Sequence, residues 1–424
     1  VYFALYSISN LKKTKSKFKL FLLLTYILFL VFACSSSKRF TNINNSSNFT
    51  ESSLIRVLLE EKSNDLIFNV GSQIYLSDLN KRLAKINAGN KIFVQQINNK
   101  LQISIADKIF SSDTFFITCV NEDAFVKLNG NNYRGRIKVF LIDSQIKVVN
   151  QIGLESYVKG VMTKEMPLGK GKENYEALKA FSICIRTYAL LKIFENKKYF
   201  DIYPDTRDQV YGGVDAENTY SSSIVDETLG QILSYNGSPA VIFYHAACGG
   251  YTEDVNNVFS NNKLPYLVTV QDGSEPYCGI APKFNWTEEY SNATFISRLF
   301  DSRLIPSKNY KLIDLKIVSR FESGRVNELR ITLIDNLRNE KNVSLFGNNI
   351  RYVIKTSNGK SILKSTMIDI TFAKDRSVLI SGKGNGHGVG LCQWGAIGQS
   401  QKGIDYLSIL NHYFPGTKVI NYYD

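Results

Sequence analysis

Residues 153–190 read GLESYVKGVMTKEMPLGKGKENYEALKAFSICIRTYAL, and the organisation of the chain turns on them. Two helical patterns flank the dipeptide Met166-Pro167. A proline pushes the residue before it towards extended geometry. The spacing therefore predicts a helix over Leu154–Met162 that stops short of Met166, with Glu165 on a short loop or turn. Beyond it, Tyr175, Leu178, Ala180, Phe181, Cys184, Ile185, Tyr188 and Leu191 recur at helical spacing. Glu173 and Glu176 suit the positive end of that helix dipole. Arg186 falls on the core-side half of the pattern, where an unpaired charge is costly, so it is expected to be paired. A glutamate held by a rigid scaffold on a loop is a candidate for acid–base work. The plain alternative is a surface carboxylate beside Lys164.

Upstream, the pattern has a period of two. LIRVLLEE, DLIFNV, QIYLSDL, KIFVQQI, LQISIA and TFFITCV are short apolar runs bounded by Asn, Gly and Asp, the mark of consecutive strands. RIKVFLI and QIKVVNQI are read as two strands joined at Asp143-Ser144. Nothing in residues 54–150 suggests chemistry. Before them, residues 35–53 are rich in Ser and Asn and are read as a flexible tether.

The N-terminal 34 residues carry a lysine block (Lys12, Lys13, Lys15, Lys17 and Lys19), then LFLLLTYILFLVFA and Cys34. A basic segment, an apolar segment and a small residue before the break describe a secretory signal. Val31-Phe32-Ala33-Cys34 resembles a lipobox, in which Cys34 would be lipidated. An uncleaved anchor is the alternative, and either places the remainder outside the cytoplasm. The chain has 424 residues, 44% hydrophobic and 12% aromatic, with a net charge of +13. That length suits two or three domains. Its lysines are scattered and no arginine stripe interleaves with aromatics, which argues against nucleic-acid binding and for anionic envelope polymers.

Downstream, GQILSYNGSPAVIFYH places an Asn236-Gly237 turn between apolar runs, a strong hairpin signal, and runs on into Tyr244-His245. Residues 297–372 return to alternating strands. SVLISGKGNGHGVGLCQWGAIGQSQKG reads as a strand, a glycine loop and a helix, and DYLSILNHYFPGTKV as a last helix. The chain is thus expected to be α+β: a β-rich N-terminal part (54–150), then a mixed α/β core (151–424) with a few helices and antiparallel strands.

Only three histidines occur. His412 is read as structural. His387 lies within Gly384-Asn385-Gly386-His387-Gly388, where glycines let the backbone adopt positive φ or approach a ligand. That loop is neither a P-loop nor a dinucleotide fingerprint. His245, Cys248 and Cys278 have the residue types of a zinc site, and a Cys248–Cys278 disulfide explains the same two cysteines in an oxidising compartment. No Ser/His/Asp set and no His-Glu-x-x-His is present.

Taken together, GLESYVKGVMTKEMP, EALKAFSICIRTYAL, GQILSYNGSPAVIFYHAACGGYTED, GHGVGLCQWGA and ILNHYFPGT resemble, in order and spacing, the SpoIID/LytB domain of bacterial cell-wall proteins. The resemblance runs from about Gly153 to the C-terminus. Lys164 and the stretch GKGKEN depart from the family's usual residues. The resemblance implies peptidoglycan as partner. It implies either a lytic transglycosylase acting on denuded glycan strands, or a modifier of an N-acetylmuramoyl-L-alanine amidase. It places the catalytic carboxyl at Glu165, and substrate contacts at Tyr244, His245, His387 and Gln393. No cofactor is required by that chemistry; a zinc-binding family member raises the metal reading of His245. One carboxyl suffices, because the C6 hydroxyl of the muramoyl sugar attacks its own C1 and a second carboxylate, needed in ordinary glycoside hydrolysis, is dispensable.

Overall fold

In the computed structural model, residues 54–423 are described, apart from 63–64, 260–263 and 374–376. The signal, Cys34 and the tether lie outside the described residues. Among the described residues no helix is long and apolar enough to cross a membrane.

The alternating runs form two antiparallel six-stranded sheets. One has the order Leu54–Lys62, Gln145–Gly153, Arg136–Ile142, Thr114–Cys119, Ile74–Ser77, Arg82–Ile86; the other runs from Asn131–Tyr133 through Leu66–Val70 to Lys108–Ser112. Alternate residues such as Leu66, Phe68 and Val70 are buried while Ile67 and Asn69 are exposed, as the two-residue period demands. Asp143 and Ser144 both take positive φ, 50° and 58°, the twist a two-residue hairpin needs.

The boundary read at residues 150 and 151 falls inside the strand Gln145–Gly153, which runs straight into helix α1 (Leu154–Glu165). One apolar core is continuous from Ile55 in the first strand to Phe414 near the C-terminus. Helix α2 (Tyr175–Phe194) is buried on nearly every side through its middle, with Ala180 to Thr187 all inside. Arg186 is the largest of these side chains, and it is paired as expected: its guanidinium grips the Glu155 carboxylate through Nε at 2.9 Å and Nη2 at 2.7 Å. Helix α3 (Thr219–Glu227) follows, capped by the Asn218 side chain.

Residues 151–424 contain a second, separately packed core. It is built from Trp286, Phe295, Leu299, Leu329, Ile331, Ile350, Ile380 and their neighbours. Two three-stranded antiparallel sheets supply it, Tyr310–Arg320 with Val326–Asp335 and Glu340–Phe346, and Asn285–Tyr290 with Val378–Lys383 and Ile368–Phe372. Helices α4 (Asn292–Asp301) and α5 (Asn349–Ile354) pack on it, where the sequence pattern suggested strands alone. For α4 the missed signal is a cap: the Ser291 hydroxyl accepts from the Thr294 N–H. Residues 361–367 are irregular, and the strand Ile368–Phe372 follows. The chain then returns to the first core through α6 (Gln393–Gln401) and α7 (Tyr406–Tyr413), and its last strand, Lys418–Asn421, pairs with Gln231–Tyr235. The fold is α+β with a β-rich N-terminal part.

Candidate active site

Glu165 is the last residue of α1, not a member of a separate loop. The Met166 N–H closes the final turn on the Met162 carbonyl at 3.0 Å, and Met166 itself is extended, with φ −134° and ψ 134°, as the following proline requires. The helix runs three residues beyond Met162 because Val161, Met162 and Met166 are all buried and hold the turn in place. The half-buried Glu165 carboxylate accepts a 2.6 Å hydrogen bond from the Val210 N–H. Burial pushes its carboxyl up from the ordinary range, while Val210, Tyr244 and Gln393 act in the opposite direction. Lys164, whose sequence position suggested a counter-charge, lies across Gly212 instead.

Three of the residues singled out by sequence stand around it. Tyr244-His245 forms a two-residue parallel ladder with Leu391-Cys392. That ladder delivers Gln393, at the start of α6, to the end of α1, where its amide donates to the Glu165 carbonyl at 2.8 Å. The Tyr244 ring sits edge-on to Phe181, at 5.0 Å between centroids. Its hydroxyl is buried with no hydrogen bond formed, yet close enough to Glu165 to favour the charged carboxylate.

His245 Nδ1 lies 3.1 Å from the Val389 carbonyl oxygen, which can only accept, so Nδ1 carries the proton. Nε2 is then a buried acceptor with no donor. Burial, with His387 and Arg325 nearby, holds this imidazole neutral. The His387 ring lies 5.5 Å from that of His245 and 5.1 Å from Phe259. Shelter from water, then the Arg351 and Arg325 guanidinium groups, push His387 down to about 3. Both histidines are therefore neutral at neutral pH and offer hydrogen bonds rather than charge.

Gly386 makes this wall possible. Its φ is +120°, and a Cβ there would stand 2.6 Å from the His245 Cβ. Gly386→Ala is expected to displace His245 and to cost about 1–3 kcal/mol of stability, read as a lower Tm with the far-ultraviolet circular dichroism retained.

These side chains line a groove of about 630 Å³ that also takes in residues sequence reasoning passed over. Tyr188, Arg207 and Asp208 come from α2 and from the loop following it. Asp208 is already engaged, accepting from the Tyr188 hydroxyl at 2.7 Å and the Tyr203 N–H at 2.8 Å. The usable signal in the sequence is the charge and aromatic density of YPDTRDQVY. Asn348, Arg351 and Tyr352 enter from α5 and the residue before it, so the second core forms part of the groove wall. No local pattern announces that contact.

The cysteines arrange differently from the sequence expectation. Cys248, Cys278, Cys392 and Asp272 are all buried, and their ligand atoms lie within 4.8 Å of one another. Cys248 and Cys278 sulfurs are 3.4 Å apart and unbonded. His245 stands outside this group, and Cys392 and Asp272, unassigned from sequence, stand within it.

Residues 142–235 match the family model of the stage II sporulation protein, SpoIID, and residues 279–390 match a domain of unknown function, DUF8618. An uncharacterized protein of Brachyspira hyodysenteriae (strain ATCC 49526 / WA1) is 29% identical over 384 residues, which is 90% of this chain and 96% of its own length. An amidase enhancer of Bacillus subtilis (strain 168) is 31% identical over 307 residues, 62% of this chain but 40% of that protein. Stage II sporulation protein D of the same organism is 25% identical over 287 residues, 64% of this chain and 75% of its own length.

Proposed function

Because the chain belongs to the SpoIID/LytB family, we propose that it is an extracytoplasmic lytic transglycosylase, anchored through Cys34, that cuts denuded peptidoglycan strands. A cell-wall function follows from the family itself. The finer reading is supported above all by one observation: a single carboxyl, raised by burial, at the end of α1 in a groove whose other acid, Asp208, is already engaged.

In this mechanism protonated Glu165 donates to the oxygen joining N-acetylmuramic acid to N-acetylglucosamine, and the C1–O bond breaks. The resulting carboxylate then takes the proton from the C6 hydroxyl of the same muramoyl sugar as that oxygen bonds to C1. Glu165 is restored, a 1,6-anhydro end forms and no water is consumed. The Val210 N–H steadies the carboxylate between the two transfers. Tyr244, His245, His387 and Gln393 bind sugar hydroxyl and N-acetyl groups, with His245 Nε2 accepting from a hydroxyl.

The decisive experiment incubates denuded glycan with the full chain in heavy-oxygen water. Anhydro ends without isotope are expected; labelled reducing ends would sink the transglycosylase reading. The second reading is an amidase modifier, favoured by the similarity to the amidase enhancer. It requires no product from glycan alone and faster amidase turnover on mixing.

A pH dependence follows. The step needs Glu165 protonated, and its carboxyl is raised, so kcat/KM is expected to fall on the alkaline side with a midpoint above that of an exposed glutamate. Both groove histidines titrate below the ordinary range, so neither produces a break near neutrality. A rate profile from acid to mildly alkaline pH checks this.

A further inference from the structure

We propose that Cys248, Cys278, Cys392 and Asp272 form a structural zinc site that clasps the two ends of the second core. Four ligand atoms within 4.8 Å of one another is the spacing of a tetrahedral zinc centre, whose thiolate edges are about 3.8 Å. Three sulfurs and a carboxylate, with no fifth position needed, are a closed set of the structural kind.

Backbone N–H groups already point at two of the sulfurs. Cys392 caps the N-terminus of α6, and its sulfur accepts from the N–H groups of Gly395 at 3.3 Å and Cys248 at 3.2 Å. The Cys248 sulfur accepts from the Gly250 N–H at 3.4 Å. A helix N-terminus and converging N–H donors both favour the deprotonated sulfur that binds metal. Asp272 is oriented by the Tyr413 hydroxyl at 2.5 Å and the Cys278 N–H at 2.8 Å, leaving a lone pair on each oxygen.

Three thiolates and a carboxylate around Zn²⁺ leave a negative centre, and a buried positive group faces it. Arg325 is 1% exposed, donates to the Cys248 carbonyl at 2.6 Å, and has Nε and Nη1 without hydrogen-bond partners. A Cys248–Cys278 disulfide would use two of the four groups and leave Cys392 and Asp272 buried together with Arg325. Zinc engages all four ligand groups and leaves a negative centre opposite Arg325, and it does so whether or not the groove cuts glycan.

The ligands also have a topological logic. Cys278 precedes the first strand of the second core, Asn285–Tyr290, and Cys392 follows its last, Val378–Lys383. Cys248 is three residues from His245, and Cys392 adjoins Gln393. The metal thus ties the neck of the second core to the wall of the groove.

The test is elemental analysis of the full chain purified without a histidine tag or chelator, together with thiol counting and disulfide mapping. Equimolar zinc is expected, lost in Cys392→Ser and Asp272→Ala, and retained in His245→Ala and Cys119→Ser. Because a ligand variant can misfold, the wild type is also reconstituted with Co²⁺. Intense thiolate-to-cobalt charge-transfer absorption with tetrahedral visible bands supports the site. A zinc-free chain with Cys248 linked to Cys278, or zinc retained in Cys392→Ser but lost in His245→Ala, overturns it.

Discussion

Glu165→Gln is expected to abolish the release of anhydro-sugars from denuded glycan, by at least about 10³-fold in kcat, while glycan binding stays near that of the wild type. General acid–base help is worth about 10²–10⁴ in rate, and in the proposed mechanism the same carboxyl serves in both proton transfers, so the upper part of that range applies. A 10³-fold loss is about 4 kcal/mol of barrier. The amide keeps an oxygen to accept from the Val210 N–H, so the side chain's position is preserved. Stability separates this result from simple unfolding. The carboxyl is raised in the folded protein, so the folded state holds that proton more tightly than the unfolded chain. The associated stability is present at low pH and lost as pH rises through the folded-state value. At neutral pH the buried carboxylate is a cost that Gln removes, so the variant's Tm should equal or exceed the wild type's. An inactive variant with a lowered Tm, or an active one, contradicts the assignment. An amidase modifier would keep its effect on the amidase in this variant.

The second large effect is on stability. Arg186→Met is expected to lower stability by about 3–5 kcal/mol, because it strips Glu155 of its counter-charge in a largely buried setting, leaving the Tyr423 hydroxyl at 3.0 Å as a neutral donor to it. The guanidinium is fully buried, pairs with Glu155 through two nitrogens, and also donates to the Gln231 carbonyl at 2.9 Å and the Val225 carbonyl at 3.3 Å. It thereby joins α1, α2, the end of α3 and the strand Gln231–Tyr235. Thermal unfolding should fall by roughly 10 °C, given about 2–4 °C per kcal/mol for domains of moderate size. Arg186→Met combined with Glu155→Leu should recover much of the loss, since an apolar pair of similar volume needs no counter-charge. No recovery in the double variant would mean that the carbonyl contacts, not the ion pair, carry the stabilisation.

Local chemistry was legible in the sequence wherever one residue type dictates the backbone. Pro167 ended α1, Asp143-Ser144 turned a hairpin, and the apolar spacing from Tyr175 drew α2 and required a partner for Arg186. The α+β class followed from the change of period near residue 154. What could not be read were proximities between distant segments. Asp272 belongs to no motif, and it meets Cys392 only because residues between them fold away into a core of their own. The same detour brings Arg351 and Tyr352 to the groove. His245 was grouped with Cys248 by sequence nearness. In the ladder beside Leu391-Cys392, however, its ring is committed to the Val389 carbonyl, while Cys248 belongs to the sulfur cluster.

The second core leaves the chain and rejoins it at a neck, between Cys278 and Cys392, whose sulfurs lie within 4.8 Å of each other. A detour that begins and ends at one point is interchangeable: its contents can lengthen, shorten or be replaced across evolution without moving Glu165, because α1 and the ladder that supports it belong to the other core. What such an exchange would alter is the rim supplied by Asn348, Arg351 and Tyr352. Descent can therefore reshape what the groove admits by swapping one cassette, leaving the position of Glu165 untouched.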